Sequence, residues 1–202
     1  MNKTIPILLV ALAAAVLLYA AGLSGPFLFD DHVHISQNRW VKIDSLQWAE
    51  LVRAWHSSPS PFPTDRPLAQ LSFGINHAVA GLDPWAFKAT NLGLHLSTGL
   101  LVYLLIRLIH RAVHPQGADS REGQWLALAT AALWLIHPLH VSTVLYTVQR
   151  MAQISTLGML AALACYLHGR IRIGEGRSGI PWMLAAVPLA ALGFIGKENA
   201  AL

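Results

Sequence analysis

The stretch from Ile5 to Leu23, IPILLVALAAAVLLYAAGL, decides the class of fold that this chain adopts. It consists almost entirely of Leu, Ala, Val and Ile, and it is long enough to cross a hydrocarbon core, which needs about 20 residues. The small residues Ala20-Ala21-Gly22 leave a cleaved signal peptide as the alternative. Because the apolar run is longer than the usual core of a signal peptide, we predict an uncleaved first membrane span.

The composition of the whole chain also indicates an integral membrane protein. The 202 residues are 54% hydrophobic and only 12% charged, whereas about 25% of the residues of a soluble domain are charged. The net charge of +4 is first a topology signal and only weakly an argument for nucleic acid, which we do not expect as a partner. The single cysteine, Cys165, excludes a disulfide framework and a cysteine-based metal site.

Hydropathy predicts an all-α integral membrane protein with a single membrane domain over 1–202. In its outer loop, 24–88, we predict an interfacial amphipathic helix over 45–55 that Ser45 caps, and a second helix over 68–79. A Pro-rich piece at 58–67 is expected to form a loop or an extended strap. About five spans are predicted, at 5–23, 89–109, 125–137, 151–167 and 181–195.

Arginines in the short loops assign the two sides of the membrane. The loops after the second and fourth predicted spans are the arginine-rich ones, and such loops favour the cytoplasmic side. The N-terminus is therefore predicted to be cytoplasmic. Three polar segments then share the outer face: the loop 24–88, the turn 137–150 and the pair Lys197-Glu198.

The most suggestive of these outer segments is FLFDDHVHISQN, Phe27 to Asn38, which places two adjacent carboxylates close to a membrane surface. Asp30 and Asp31 fit three interpretations: a general base with a helper, a metal-binding pair with His32 or His34, or a solvated turn with a capping aspartate.

Other span ends carry further candidates. Arg150 at bilayer depth costs about 2.5–3.5 kcal/mol on insertion scales, so it should face a cavity or a partner, or snorkel to lipid phosphates. His137 and His140 are either an anion or metal site or the end of a helix that Pro138 terminates. The pair Lys197-Glu198 is either an ion pair or a cationic anchor.

An acid pair and several cations on one membrane face suit glycosyl transfer from a lipid-phosphate sugar. A carboxylate can take the proton of the acceptor hydroxyl if its reach and pKa allow. Arginine or lysine can stabilise the negative charge that develops on the departing phosphate. The lipid tail of the donor needs a groove in the membrane, which a site at span ends provides.

A series of short motifs runs in order from Gly25 to Glu198. The motifs are Phe29-Asp30-Asp31, Asn38, Arg66-Pro67-Leu68, Asn76, Asn91 with His95, His137-Pro138-Leu139-His140, Val148-Gln149-Arg150 and Lys197-Glu198. In this order the chain resembles the N-terminal membrane part of the C-type (GT-C) polytopic glycosyltransferases. It is most similar to the transmembrane O-mannosyltransferase-like proteins that carry tetratricopeptide repeats, and to their bacterial relatives.

The resemblance implies an inverting transferase that moves a sugar from a polyprenyl-phosphate donor to a hydroxyl on a protein or glycan, with an aspartate as general base. Of the two candidates Asp31 is slightly favoured, because it lies farther from the apolar segment. Arg150, Lys197 and Arg66 are expected at the donor phosphate. The residues expected to line the site are His137, His140, Glu198, Asn38 and His95.

The resemblance leaves a divalent metal, Mg²⁺ or Mn²⁺, open as a cofactor. It also implies membrane lipids among the partners and a bacterial inner membrane with a periplasmic active face. Relatives continue into further spans and a soluble repeat region. The chain is therefore expected to be the N-terminal part of a larger fold, or one half of a two-chain assembly.

Two other classes of protein stay open. A non-catalytic accessory subunit would bind a partner through the Trp-rich outer loop and would need no proton chemistry. A metal-handling membrane protein would use Asp31-His32-Val33-His34 together with His137 and His140. These histidines lack the i, i+4 spacing of helical metal ligands, which weighs against the metal-handling class.

Overall fold

The computed structural model describes residues 4–59, 66–117 and 120–197, and all regular structure in this part of the chain is helical. One π-helical turn, His32–Ser36, and two 3₁₀ turns, Pro115–Gly117 and Thr147–Gln149, lie between longer helices. The α-helices are α1 Thr4–Ala20, α2 Trp48–Trp55, α3 Pro67–Ala80, α4 Pro84–Val113, α5 Arg121–Ile136, α6 His140–Leu145, α7 Arg150–Gly174 and α8 Ile180–Gly196.

Helices occur at all five positions where the sequence predicts a span, but they differ in length. Two helical segments, α4 and Thr147–Gly174, are long and apolar enough to cross a membrane. The apolar helices α1 and α8 have 17 residues each, and α5 has 16. The described residues thus contain two candidate spans, and the count of five remains a prediction.

Small residues bring α7 and α8 into backbone contact. A Cβ atom at Gly158 would lie 2.6 Å from the Cα of Gly193, and one at Gly193 would lie 3.0 Å from the carbonyl oxygen of Ser155. Close approach of this kind stabilises pairs of membrane helices, because packing drives their association. The contact also places the C-terminal end of α8 beside the N-terminal half of α7.

The segment between α1 and α4 packs onto the ends of α4 and α7. Each large apolar side chain that it buries contributes about 1.5–3 kcal/mol to folding. The core beneath the segment consists of Phe27, Ile35, Val41, Ala69, Phe73, Phe87, Val148 and Met151. The outer loop is therefore part of the folded body and not a separate appendage.

The two predicted helices of the outer loop are present with changed boundaries. α2 begins at Trp48, and its N-cap Gln47 makes no side-chain capping bond, so the prediction of a cap at Ser45 is wrong. α3 begins with Pro67 in the first turn, where a missing N–H costs nothing. Of the Pro-rich piece at 58–67, residues 60–65 lie outside the described part of the chain.

Pro138 ends α5, as the sequence predicts. The last residue of α5 is Ile136, and His137 is extended, with φ −67° and ψ 128°. Proline excludes the helical conformation at the residue before it, which explains the break. The chain then turns into α6 and reaches α7 at Arg150.

Candidate active site

Asp31 is fully buried, and its carboxylate is occupied by main-chain N–H groups. Oδ1 accepts a hydrogen bond from Val148 N at 2.7 Å, and Oδ2 accepts from Leu28 N at 3.0 Å and from Thr147 N at 3.4 Å. Burial raises the pKa of Asp31, opposed by these N–H groups and by the charge of Lys88. The side chain ties the outer loop to the segment before α7, and this geometry does not suit a proton acceptor for substrate.

Asp30, by contrast, presents an exposed side chain beside Tyr146. Its main-chain N–H donates to the Tyr146 hydroxyl at 3.1 Å. The preceding residue, Phe29, has φ 41° and packs edge-to-face on the Tyr146 ring at 6.2 Å between centroids. Burial raises the pKa of Tyr146, the hydrogen bond from the Asp30 N–H opposes this effect, and the negative charge of Asp30 adds to it. The net shift is upward, so the phenol is neutral near pH 7.

Tyr146 was not among the residues predicted from the sequence. A lone tyrosine at the end of an apolar helix has no distinctive spacing. The only available signal is its position just before the motif Val148-Gln149-Arg150.

Arg150 is fully buried in a network of neutral acceptors. Its Nε donates to Asn91 Oδ1 at 2.8 Å, its Nη1 to Asn76 Oδ1 at 2.6 Å, and its Nη2 to the Phe87 carbonyl at 2.7 Å. Nη1 also lies 3.1 Å from the Ser72 carbonyl, and the guanidinium lies 4.8 Å from the centre of the Phe73 ring. Arg150 therefore joins α3, α4 and α7 and is engaged by protein groups.

The expected role of Arg150 at the donor phosphate does not fit this position. A phosphate could reach the guanidinium only by breaking several of these bonds. The expectation that so costly a charge has a partner in the protein does fit, since each of its nitrogens donates to a neighbour.

Arg66 is the predicted phosphate ligand whose charge acts on His34, as do the charges of the acid pair. It has a left-handed conformation, φ 43°, immediately before α3, and its Nη1 lies 3.5 Å from Met151 Sδ. His34 bonds Gln70 through Nδ1 at 3.0 Å. Burial lowers the pKa of His34, the positive charge of Arg66 lowers it further, and the charges of Asp30 and Asp31 oppose this effect. Arg66, His34 and Asp30 therefore form one electrostatic group.

Lys197 lies near the N-terminal end of α7, the end at which Arg150 lies. It is the C-terminal cap of α8, and its carbonyl accepts a hydrogen bond from the Ser155 hydroxyl at 3.3 Å. Ser155 lies about 7.5 Å along α7 from Arg150, because each helical residue rises about 1.5 Å. Its predicted neighbour Glu198 lies outside the described residues.

The histidines that were expected to line the site form a separate aromatic cluster. His95 is buried and bonds the Leu135 carbonyl through Nε2 at 2.9 Å. Trp134 stacks on His95 and contacts His140, with 4.5 Å between ring centres in both pairs. His137 is exposed, and burial lowers the pKa of His140, with His137 adding to this effect. Within the described residues, the ring contacts of this cluster join His95, Trp134, His137 and His140 to one another and do not include Asp30.

Two further polar residues hold the outer loop in shape. Asn38, expected to line the site, is buried and donates from Nδ2 to the Ser57 carbonyl at 2.6 Å. Lys88, which the sequence reasoning missed, is buried and donates from Nζ to the Gly25 and Pro26 carbonyls at 2.8 and 3.1 Å. A lysine in the first turns of a long apolar helix was the signal that could have identified it.

Metal ligands do not converge in the parts of the chain that the structure describes. Over 4–59, 66–117 and 120–197, no group of three or more His, Cys, Asp or Glu side chains is placed to hold an ion. The divalent metal that the sequence leaves open therefore has no assigned site, and the metal-handling alternative gains no support.

Comparison with known proteins finds similarity to proteins named protein O-mannosyl-transferases. It is 31% identical over 200 residues to protein O-mannosyl-transferase TMTC2 of Xenopus laevis, covering 95% of this chain and 22% of that protein. It is 28% identical to protein O-mannosyl-transferase TMTC4 of Mus musculus, covering 92% of this chain and 26% of that protein. No protein-family profile and no solved structure matches.

The chain is therefore homologous to proteins named protein O-mannosyl-transferases. These relatives carry the TMTC name, as does TMTC1 of Mus musculus at 30% identity over 185 residues. The predicted resemblance to O-mannosyltransferase-like proteins is thereby confirmed, and the wider GT-C class stays a prediction. The chain spans about a fifth to a quarter of the length of these relatives. They come from animals and give no support to the bacterial inner membrane expected above.

Proposed function

We propose that this chain is the N-terminal part of a membrane glycosyltransferase that moves a sugar from a polyprenyl-phosphate donor to a hydroxyl of a protein acceptor, with inversion and with Asp30 as general base. The names of its relatives support sugar transfer to protein. The choice of base rests on the contrast between Asp30 and Asp31. The Asp31 carboxylate accepts hydrogen bonds from three main-chain N–H groups, whereas the Asp30 side chain is exposed to solvent.

Asp30 has the accessibility that a general base needs. The acceptor oxygen forms a bond to the anomeric carbon of the sugar while the bond from that carbon to the phosphate oxygen breaks. The proton of the acceptor passes to the Asp30 carboxylate, and the electron pair leaves with the phosphate. Attack from the face opposite the phosphate inverts the anomeric centre.

Two cations are our candidates for the departing phosphate. The charge of Arg66 acts on His34, as do the charges of Asp30 and Asp31, and the main chain of Lys197 is bonded to Ser155 near the start of α7. A guanidinium or ammonium in a partly desolvated site stabilises charge that develops during the reaction. In this proposal Arg150 and Asp31 shape the site and neither touches the substrate.

The face that carries Asp30 is proposed to be the outer face, with the N-terminus cytoplasmic. The arginines of the opposite end support this orientation, because short arginine-rich loops remain in the cytoplasm. Because the chain spans only part of its relatives, a second chain or a further segment that completes the site belongs to the proposal as well.

The test uses the chain in lipid nanodiscs with a radiolabelled polyprenyl-phosphate mannose and a serine/threonine acceptor peptide. Donor binding and sugar transfer are measured separately for wild type, Asp30→Asn, Arg66→Gln and the control Asp44→Asn. We expect Asp30→Asn to abolish transfer and spare binding, and Arg66→Gln to weaken binding. Normal transfer by Asp30→Asn would refute the assignment of the base. Donor binding without transfer in wild type would show that the site needs the second chain or further segment, and absence of donor binding in wild type would refute the transferase proposal for this chain.

A second candidate function, an accessory subunit that binds a partner, is favoured by exposed aromatic residues of the outer segment. The side chains of Trp48 and Phe29 are each 80% exposed, and Trp40 is 51% exposed. Exposed aromatics of this size are typical of binding or membrane-interface surfaces. Under this hypothesis Trp48→Ser abolishes function while Asp30→Asn leaves it intact, which is the reverse of the transferase prediction.

A further inference from the structure

We propose that the end of the helices opposite Asp30 holds a binding site for the phosphate headgroup of an anionic membrane lipid. At about 1.5 Å per residue, Arg111 lies about 35 Å along α4 from Lys88, and Arg170 lies about 30 Å along α7 from Arg150. The hydrocarbon core of a bilayer is about 30 Å thick. The two arginines are therefore one membrane thickness away from the candidate active site.

A cavity of about 380 Å³ opens between α4 and α7 at this end. Its charged lining consists of Arg111, Arg170 and Glu175, and its apolar lining includes Pro115, Leu167 and Ile171. A basic pocket with apolar walls between membrane helices matches a lipid headgroup and the start of its acyl chains. A soluble anion would bind the arginines and leave the apolar walls of the cavity without a partner.

The charges around this cavity do not cancel. Glu175 is bonded by both Nε and Nη2 of Arg111, and it lies 3.8 Å from Arg177 Nη1. Arg170 is exposed and lines the same cavity. Arg111 and Arg177 therefore lie beside Glu175, and Arg170 adds a third positive charge in the cavity lining against this one carboxylate. The excess of positive charge, together with the pairing that fixes Arg111 in place, prepares the cavity for a phosphate.

The membrane supplies such phosphates on the side that the arginines are predicted to face. Anionic lipids are concentrated in the cytoplasmic leaflet, where each lysine or arginine near the surface strengthens binding. The proposal is independent of sugar transfer, since none of these residues contacts the acid pair's segment in the described structure.

The experiment measures lipid binding to the purified chain by native mass spectrometry after titration with phosphatidylglycerol or phosphatidylcholine. The variant is Arg111→Gln/Arg170→Gln. The control is Arg39→Gln/Arg53→Gln, which removes the same charge from the outer segment. A second variant, Arg111→Lys/Arg170→Lys, keeps the charge. Circular dichroism verifies the helix content of each protein.

We expect the wild type to prefer phosphatidylglycerol, and the glutamine variant to bind it about tenfold more weakly. The control and the lysine variant should keep the preference. An equal loss in the control, or no loss in the glutamine variant, would overturn the proposal. Inorganic phosphate and glycerol phosphate are added as competitors, and displacement of the lipid by either at equal concentration would show a soluble anion site and overturn the lipid assignment.

Discussion

The main-chain N–H of Asp30 donates a 3.1 Å hydrogen bond to the hydroxyl of Tyr146, 116 positions further along the chain. The next residue, Asp31, accepts hydrogen bonds from the N–H groups of Thr147 and Val148. Two adjacent residues of the outer loop are thus bound to three adjacent residues before α7. This double connection fixes the main chain from which the Asp30 carboxylate projects.

Loss of the Tyr146 hydroxyl should reduce catalysis more than stability. Tyr146→Phe keeps the ring contact with Phe29 but removes the acceptor of the Asp30 N–H, a net change of about 0.5–1.5 kcal/mol in the free energy of unfolding. In transfer assays we expect a fall in kcat of about tenfold with KM for the donor little changed. Tyr166→Phe, on α7, is the matched control. A rise in KM with unchanged kcat would contradict a role in positioning the base.

Removal of the Asp31 carboxylate should destabilise the fold. Asp31→Ala leaves the N–H groups of Thr147 and Val148 buried without their acceptor, at a cost of about 1–3 kcal/mol for each group left unsatisfied, and also removes the partly buried bond from Leu28. Thermal unfolding in detergent measures the change. Asp44→Ala, at an exposed position of the same loop, should shift the midpoint little. An unfolding midpoint for Asp31→Ala equal to that of wild type would show that the anchor is dispensable.

Arg150 should rank among the most sensitive positions in the chain. Arg150→Met leaves Asn76 Oδ1, Asn91 Oδ1 and the Phe87 carbonyl without this donor, and we expect a loss in stability of about 1–3 kcal/mol for each acceptor left unsatisfied. The stability of Arg150→Lys should fall between those of wild type and Arg150→Met, because an ammonium group cannot make all the hydrogen bonds of the planar guanidinium. Arg39→Lys is the exposed control. If Arg150→Met unfolds like wild type but fails to bind donor, the residue is a phosphate ligand and our structural assignment is wrong.

His34 should titrate below the ordinary histidine range. Burial and the positive charge of Arg66 both lower the pKa of His34. The free energy of unfolding therefore has its full value above the pKa of histidine in the unfolded chain, where the ring is neutral in both states. This contribution to stability is lost as the pH falls through the lowered pKa of the folded state. In NMR spectra of ¹⁵N-histidine-labelled protein, Arg66→Gln should raise the pKa of His34. An unchanged pKa would show that Arg66 and His34 are not coupled.

Helix positions were predictable because they depend on local sequence. Runs of apolar residues located α1, α4, α5, α7 and α8, and Pro138 marked the end of α5. The prediction that Ser45 caps α2 was wrong because a serine before an amphipathic run is only a statistical signal for a cap. The helix begins at Trp48.

Roles within the site were less predictable because they depend on partners far along the chain. The sequence placed Arg150 at membrane depth but did not reveal that Asn76, Asn91 and Phe87 would surround its guanidinium. It likewise gave no means of seeing that Asp31 would be enclosed and Asp30 exposed. Distance from the apolar segment was the only local criterion, and it favoured the enclosed residue.

The bonds of Asp31 to Val148 and of Arg150 to Ser72 have a consequence for biogenesis. Their partners are separated by 117 and 78 residues, so the outer segment leaves the ribosome long before its anchors are made. Until Thr147, Val148 and Arg150 are made, Asp31 lacks two of its donors and the Ser72 carbonyl lacks its guanidinium partner, whereas the bonds from Lys88 to the Gly25 and Pro26 carbonyls can already form. We therefore expect the face that carries Asp30 to reach its final geometry late, after the helix that begins with Arg150 has been made.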